Sequence, residues 1–135
     1  MKIFCKYFRN KQGTVAVEFA MVAVLFLTFL FGIIEVGRVF WTWNTLQYAV
    51  ETTARYAIVH QSATNSDLVT YAATSMSGIK VDTSKLTVTT ATTTISGVSF
   101  IEVTGTYAYT SIVPFLPAAM NSINLTAKAK VPYVL

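Results

Sequence analysis

Gly13 is followed five places later by Glu18, and Glu18 stands at the mouth of an uncharged run, Phe19 to Ile34 (FAMVAVLFLTFLFGII). A carboxylate at the centre of a bilayer costs about 3 kcal/mol on insertion scales, and less near an end. An acid in this place needs either a partner or a way out to the headgroups. Glycine has no side chain and a permissive backbone, so Gly13 can present an extended scissile bond to a membrane protease. Cutting after it would leave Thr14 with a free α-amine, one helical turn from Glu18. On a neighbouring, staggered subunit, Glu18 could accept that ammonium, and the pairing would offset part of the desolvation of both groups. The plainer alternative is that Glu18 snorkels to the cytoplasmic headgroups. Ahead of the glycine, Lys2, Lys6, Arg9 and Lys11 supply four positive charges and no acid. Basic residues directly before an apolar run read as a cytoplasmic topogenic signal.

The remaining residues offer little other chemistry. The single cysteine, Cys5, excludes an internal disulfide and a multi-cysteine metal site. The single histidine, His60, falls at a predicted helix end. Glu35, Glu51, Asp67, Asp82 and Glu102 show no paired spacing suited to acid–base work. There is no Gly-rich phosphate loop and no nucleophile elbow. The expectation is a protein that is not an enzyme, with no catalytic residue, metal, cofactor or small-molecule substrate. Removing the four leader charges from the ten basic residues leaves six, against six acids. The pI of 9.3 therefore belongs to the leader, and nucleic acid is not an expected partner.

The elements that must hold these residues follow from composition and periodicity. The 135 residues are 53% hydrophobic and only 12% charged, about half the usual charge of roughly 25%. That excludes disorder and leaves room for one modest domain plus an anchor. Sixteen residues cover roughly 24 Å as a helix, and adding Thr14–Glu18 brings the span to about 31 Å, enough for a bilayer core. The run is longer than a secretory h-region and no small-x-small site follows, so the segment is expected to stay with the protein. Beyond it, Val36, Val39, Trp43, Leu46, Val50, Ala54 and Ala57 trace one helical face. Phe40, Trp41, Trp43 and Tyr48 form an aromatic belt of the kind found at membrane interfaces. The pattern predicts one helix from about Thr14 to Val59, roughly 70 Å long.

Past a polar break at 62–66, with Asn65 and Ser66 as candidate N-caps, Leu68 to Met76 predicts a short helix stopped by Gly78. The period then changes to two. Leu86–Ile95 (LTVTTATTTI) predicts a strand, Ser96-Gly97 a hairpin turn, and Val98–Thr110 a second strand interrupted by Gly105. Pro114 and Pro117 mark an irregular loop. Ile123 to Val131 alternates as a third strand. The sheet has one apolar face, which the amphipathic half of the long helix is placed to cover. The fold class is α+β: a leader over 1–13, a transmembrane half over 14–35, an amphipathic continuation over 36–60, and a head over 61–135.

A basic leader, Gly13 and Glu18 opening an apolar helix together resemble a type IV prepilin processing site. The resemblance narrows to the TadE-like family of the tight adherence (Tad, or Flp) pilus system. It is carried by Ala16-Val17-Glu18-Phe19, by Gly32-Ile33-Ile34-Glu35-Val36-Gly37-Arg38 and by Ala54-Arg55-Tyr56-Ala57. It implies a pseudopilin or minor pilin of pilus assembly, cleaved by a prepilin peptidase between Gly13 and Thr14, with Glu18 and Phe19 completing the processing site. Glu35, Gly37, Arg38 and Arg55 are the family's further landmarks here. Major Flp pilins are much shorter and usually carry Glu-Tyr where this chain has Glu18-Phe19, so an accessory subunit is implied. The implied location is the bacterial inner membrane, single-pass, N-terminus cytoplasmic and head periplasmic. The implied partners are membrane lipid, the peptidase, other pilus subunits and the Tad secretion machinery. An uncleaved single-pass protein displaying an interaction or adhesion domain has the same topology and stays open.

Overall fold

A computed structural model describes residues 11–76, 82–113 and 122–133. Lys2, Lys6 and Arg9 of the leader, the Gly78 stop, and Pro114 and Pro117 lie outside the described residues, and Lys11 is described by its backbone alone. The first element, α1, is a single helix, Lys11–Val59. Its end falls where the polar break predicts. It is already helical at Lys11, the first described residue, three before the predicted Thr14, because Gly13 costs the helix only about 1 kcal/mol relative to alanine. The chain divides into two compact units at Val36 and Gly37.

In the first unit, α1 between Phe19 and Ile34 is apolar on every side and almost wholly exposed. Phe19, Val24 and Phe29 are 74%, 66% and 66% exposed. A helix apolar all round suits a surrounding that is itself apolar. Its one interior hydroxyl is turned back onto the backbone, Thr28 donating to the Val24 carbonyl at 2.8 Å.

In the second unit, α1 from Gly37 lies on a three-stranded antiparallel sheet in the order β1-β2-β3. The strands are β1 (Leu86–Ile95), β2 (Val98–Thr110) and β3 (Ser122–Tyr133). The first two match the predicted bounds, and β3 runs on through Pro132. A second helix, α2 (Asn65–Ser75), packs beside α1, and a short 3₁₀ turn (Thr83–Lys85) leads into β1. Leu46, Val50, Ala54 and Ala57 form the predicted core face of α1, joined by Ala49, and they meet Val88, Val103, Tyr107 and Ala127 of the sheet. Val36 and Trp43, placed on that face by periodicity, are exposed, and Val39 is half-buried against the core. Thr42 and Thr53 are buried, and each hydroxyl donates to a carbonyl one turn back, Arg38 O at 2.9 Å and Ala49 O at 2.7 Å.

Gly105 sits where the helix crosses β2. A Cβ there would lie 2.5 Å from Val50 Cγ2 and 3.4 Å from Leu46 Cδ1, so the missing side chain is what allows helix and sheet to close. At the hairpin, Ser96 and Gly97 both have positive φ, 52° and 81°, which gives a two-residue turn the twist its strands need. The cap of α2 is Thr64, one residue before the predicted candidates. Its hydroxyl accepts from the Asp67 amide, and Asp67 accepts from the Thr64 amide at 2.9 Å, a complete capping box. Hydrogen bonds from the Thr64 hydroxyl, and then from its amide, hold the Asp67 carboxyl below the ordinary carboxylate range. Ser84 does the same for Asp82, the cap of the 3₁₀ turn.

Candidate functional site

Gly13, Thr14, Glu18 and Phe19 all lie on the opening turns of α1, and all four are exposed. Thr14 and Glu18 are four residues apart, so they share a helix face with an axial rise of about 6 Å between them. Nothing lies within 4 Å of a Cβ built on Gly13. The peptide after Gly13 is helical in the free chain. A protease reaching that bond must first unwind the opening turn. Gly13 weakens that turn by about 1 kcal/mol relative to alanine.

The further landmarks do not converge on one cluster. Glu35 is buried, and Gly37 has open space where a side chain would be. The Arg38 guanidinium lies 5.7 Å from the centre of the Tyr109 ring, a cation–π contact that ties α1 to β2. Arg55 is exposed, 17 residues further along the helix and roughly 25 Å away. Glu51 accepts from Gln47 at 3.3 Å.

The aromatic residues divide by role. Phe40, Trp41, Trp43 and Tyr48 are all exposed. Trp43 is structural as well as part of the predicted belt, because its indole N–H donates to the Thr126 carbonyl at 3.2 Å. One turn on, the Gln47 amide donates to the Lys128 carbonyl at 3.3 Å. Helix spacing of four thus meets strand spacing of two along β3. Periodicity on α1 cannot show this, because the partners lie about 80 residues away on another element. At the other end of α1, the Tyr56 ring is stacked between His60 and Tyr71, with centroids 4.0 and 4.2 Å apart. His60 is exposed and lies against the Tyr56 carbonyl. Among the described residues, no group of three or more His, Cys, Asp or Glu is placed to hold a metal.

Fold and geometry together define a class: a helix long and apolar enough to cross a membrane, carrying a small α+β head. Residues 13–55, from Gly13 through Arg55, match the family described as TadE-like protein, so that segment is similar to the family. No curated protein and no solved structure matches the chain. The helix is long and apolar enough to cross a membrane, and the segment that contains it is similar to the TadE-like family.

Proposed function

We propose that this chain is a pseudopilin or minor pilin of Tad (Flp) pilus assembly, cleaved after Gly13 by a prepilin peptidase, with Glu18 accepting the new Thr14 amine of a neighbouring subunit. The observation that supports this most is the placement of Gly13, Thr14 and Glu18. They lie on exposed turns at the start of an apolar helix, inside the TadE-like segment. An acid among lipid-facing residues has no evident use in a plain anchor, whereas a nearby ammonium lowers its cost. Four basic residues ahead of the span hold the N-terminus on the cytoplasmic side of the inner membrane and place the head in the periplasm. The partners are then lipid, the peptidase, other pilus subunits and the Tad secretion machinery.

A second reading, the uncleaved single-pass protein, draws support from the continuation of α1 upstream of Gly13 to Lys11. Gly13→Leu separates the two. A bulky side chain at the scissile position blocks cleavage, so the variant is expected to migrate more slowly on an immunoblot by the mass of the leader. Identical mobility for variant and parent rejects the assigned site.

A further inference from the structure

Three contacts set the level of the sheet against α1. Trp43 donates to the Thr126 carbonyl and Gln47, one turn on, to the Lys128 carbonyl. Four helix residues rise about 6 Å and two strand residues about 6.6 Å, so β3 runs beside α1 in the same direction and in step with it. Ile123, three residues before Thr126, therefore lies about 10 Å nearer the start of the head, level with Gly37. The third contact agrees: Tyr109 is the cross-strand partner of Ile123, and the Arg38 guanidinium lies over its ring.

This end of the head is apolar and open. Ile123 takes a core-facing position in line with buried Leu125, Ala127 and Ala129, yet it is 42% exposed. Ile112, two residues past the end of β2 at the same end, is 65% exposed. On α1, four consecutive residues turn through a full circle at about 100° each. Phe40, Trp41 and Trp43 are exposed on three sides, and the fourth, Thr42, is buried one turn before the core residue Leu46. Helix side chains lean towards the N-terminus, so the three rings reach back towards the level of Ile123. Exposed apolar residues scattered singly need no explanation, but five gathered at one end of a domain do.

What surrounds that level follows from the chain itself. The uncharged run ends at Ile34, and α1 continues unbroken into the head. The headgroup layer adds roughly 5–8 Å on each side of the hydrocarbon core, or about three to five helix residues past Glu35. Gly37, and with it Ile123, falls inside that layer. We propose that the β2–β3 end of the head is seated in the bilayer surface, with Ile112 and Ile123 entering lipid beside Phe40, Trp41 and Trp43. The proposal rests on α1 crossing the membrane and adds to it a second, non-helical contact. The occupant is lipid because the continuity of α1 brings lipid to this level in every copy of the chain. The head is then held at two points, which restrains its swing on the helix. Ile95 and Val98 at the hairpin supply the contrast, being comparably exposed but about 40 Å along β2 from Thr110, out of reach of the membrane.

The test uses the full-length chain in a Cys5→Ser background, reconstituted in phosphatidylethanolamine–phosphatidylglycerol vesicles that contain a lipid with a nitroxide on its acyl chain. A nitrobenzoxadiazole fluorophore is attached through Ile112→Cys, Ile123→Cys, Ile95→Cys or Phe26→Cys, one at a time. Quenching at 112 and 123 is expected to exceed that at 95 at least threefold. Adding Ile112→Asp is expected to lower quenching at 123 at least twofold and to leave quenching at 26 unchanged. If quenching at 123 does not change, tethering alone brings the head to the surface and the proposal is overturned. Quenching at 26 with none at 112 and 123 also overturns it, while leaving the span in place; no quenching at 26 removes the span and the seat together. Ile112→Cys chains that cross-link as disulfide dimers, with no lipid quenching, assign the patch to a second copy and overturn it as well.

Discussion

Glu18→Ala is expected to insert into the membrane as well as the parent or better, and to fail in pilus assembly. Both halves follow from the same group. Removing a carboxylate from the apolar helix relieves up to about 3 kcal/mol of insertion cost, less if Glu18 sits near the headgroups. Removing it also leaves the Thr14 ammonium of the neighbouring subunit desolvated and unpaired, a loss of roughly 3–5 kcal/mol for a buried pair. At about 1.4 kcal/mol per factor of ten, subunit association falls a hundredfold or more. Membrane fractionation reads the first effect, and the yield of sheared surface pili reads the second. Wild-type pilus yield in that strain would mean that Glu18 meets no amine. Glu18→Asp keeps the charge but shortens the reach, so a partial yield is expected of it.

The second large effect belongs to the head. Gly105→Val is expected to destabilise it by about 3 kcal/mol or more, at the upper end for overpacked cores. Even the first added carbon would stand 2.5 Å from Val50 Cγ2, and the helix backbone cannot retreat without uncovering Leu46. The clash is specific to one side chain, which gives the prediction a built-in check. Val50→Ala alone leaves a cavity and lowers stability, whereas Val50→Ala combined with Gly105→Val restores much of the loss, so the two changes are strongly non-additive. Thermal unfolding of the detergent-solubilised full chain, followed by circular dichroism, measures all three variants. Strict additivity, or a Gly105→Val midpoint equal to the parent's, would show that the helix does not close over the strand at this point.

Much of this architecture was legible in the residues, for identifiable reasons. β1 and β2 announce themselves because a threonine-rich, β-branched run ends at the turn dipeptide Ser96-Gly97, both of whose residues take positive φ. The end of α1 at Val59 follows from the polar stretch beyond it. What the sequence hides is mostly tertiary. Gly105 reads as an interruption of a strand, and only the position of Val50 above it explains the gap. Trp43 reads as one more ring of an interfacial belt until the Thr126 carbonyl is placed beside it. Pro132 reads as the end of β3, yet it continues the strand because its missing N–H would have pointed outwards. Thr64 lost out as a cap to Asn65 and Ser66 because three consecutive cap-forming residues are indistinguishable without the Asp67 contact that selects one of them. At the proposed processing segment, residue types alone single out Gly13, Thr14 and Glu18. The helical state of the Gly13 bond did not follow from them, since glycine is compatible with either conformation.

Intact-mass measurement of the chain extracted from the membranes of a pilus-producing cell bears most directly on the role of Glu18, because without a new amino terminus the acid has nothing to meet. The mass expected is that of a chain beginning at Thr14, short of residues 1–13 and their four positive charges. A mature protein that still begins at Met1 would contradict it.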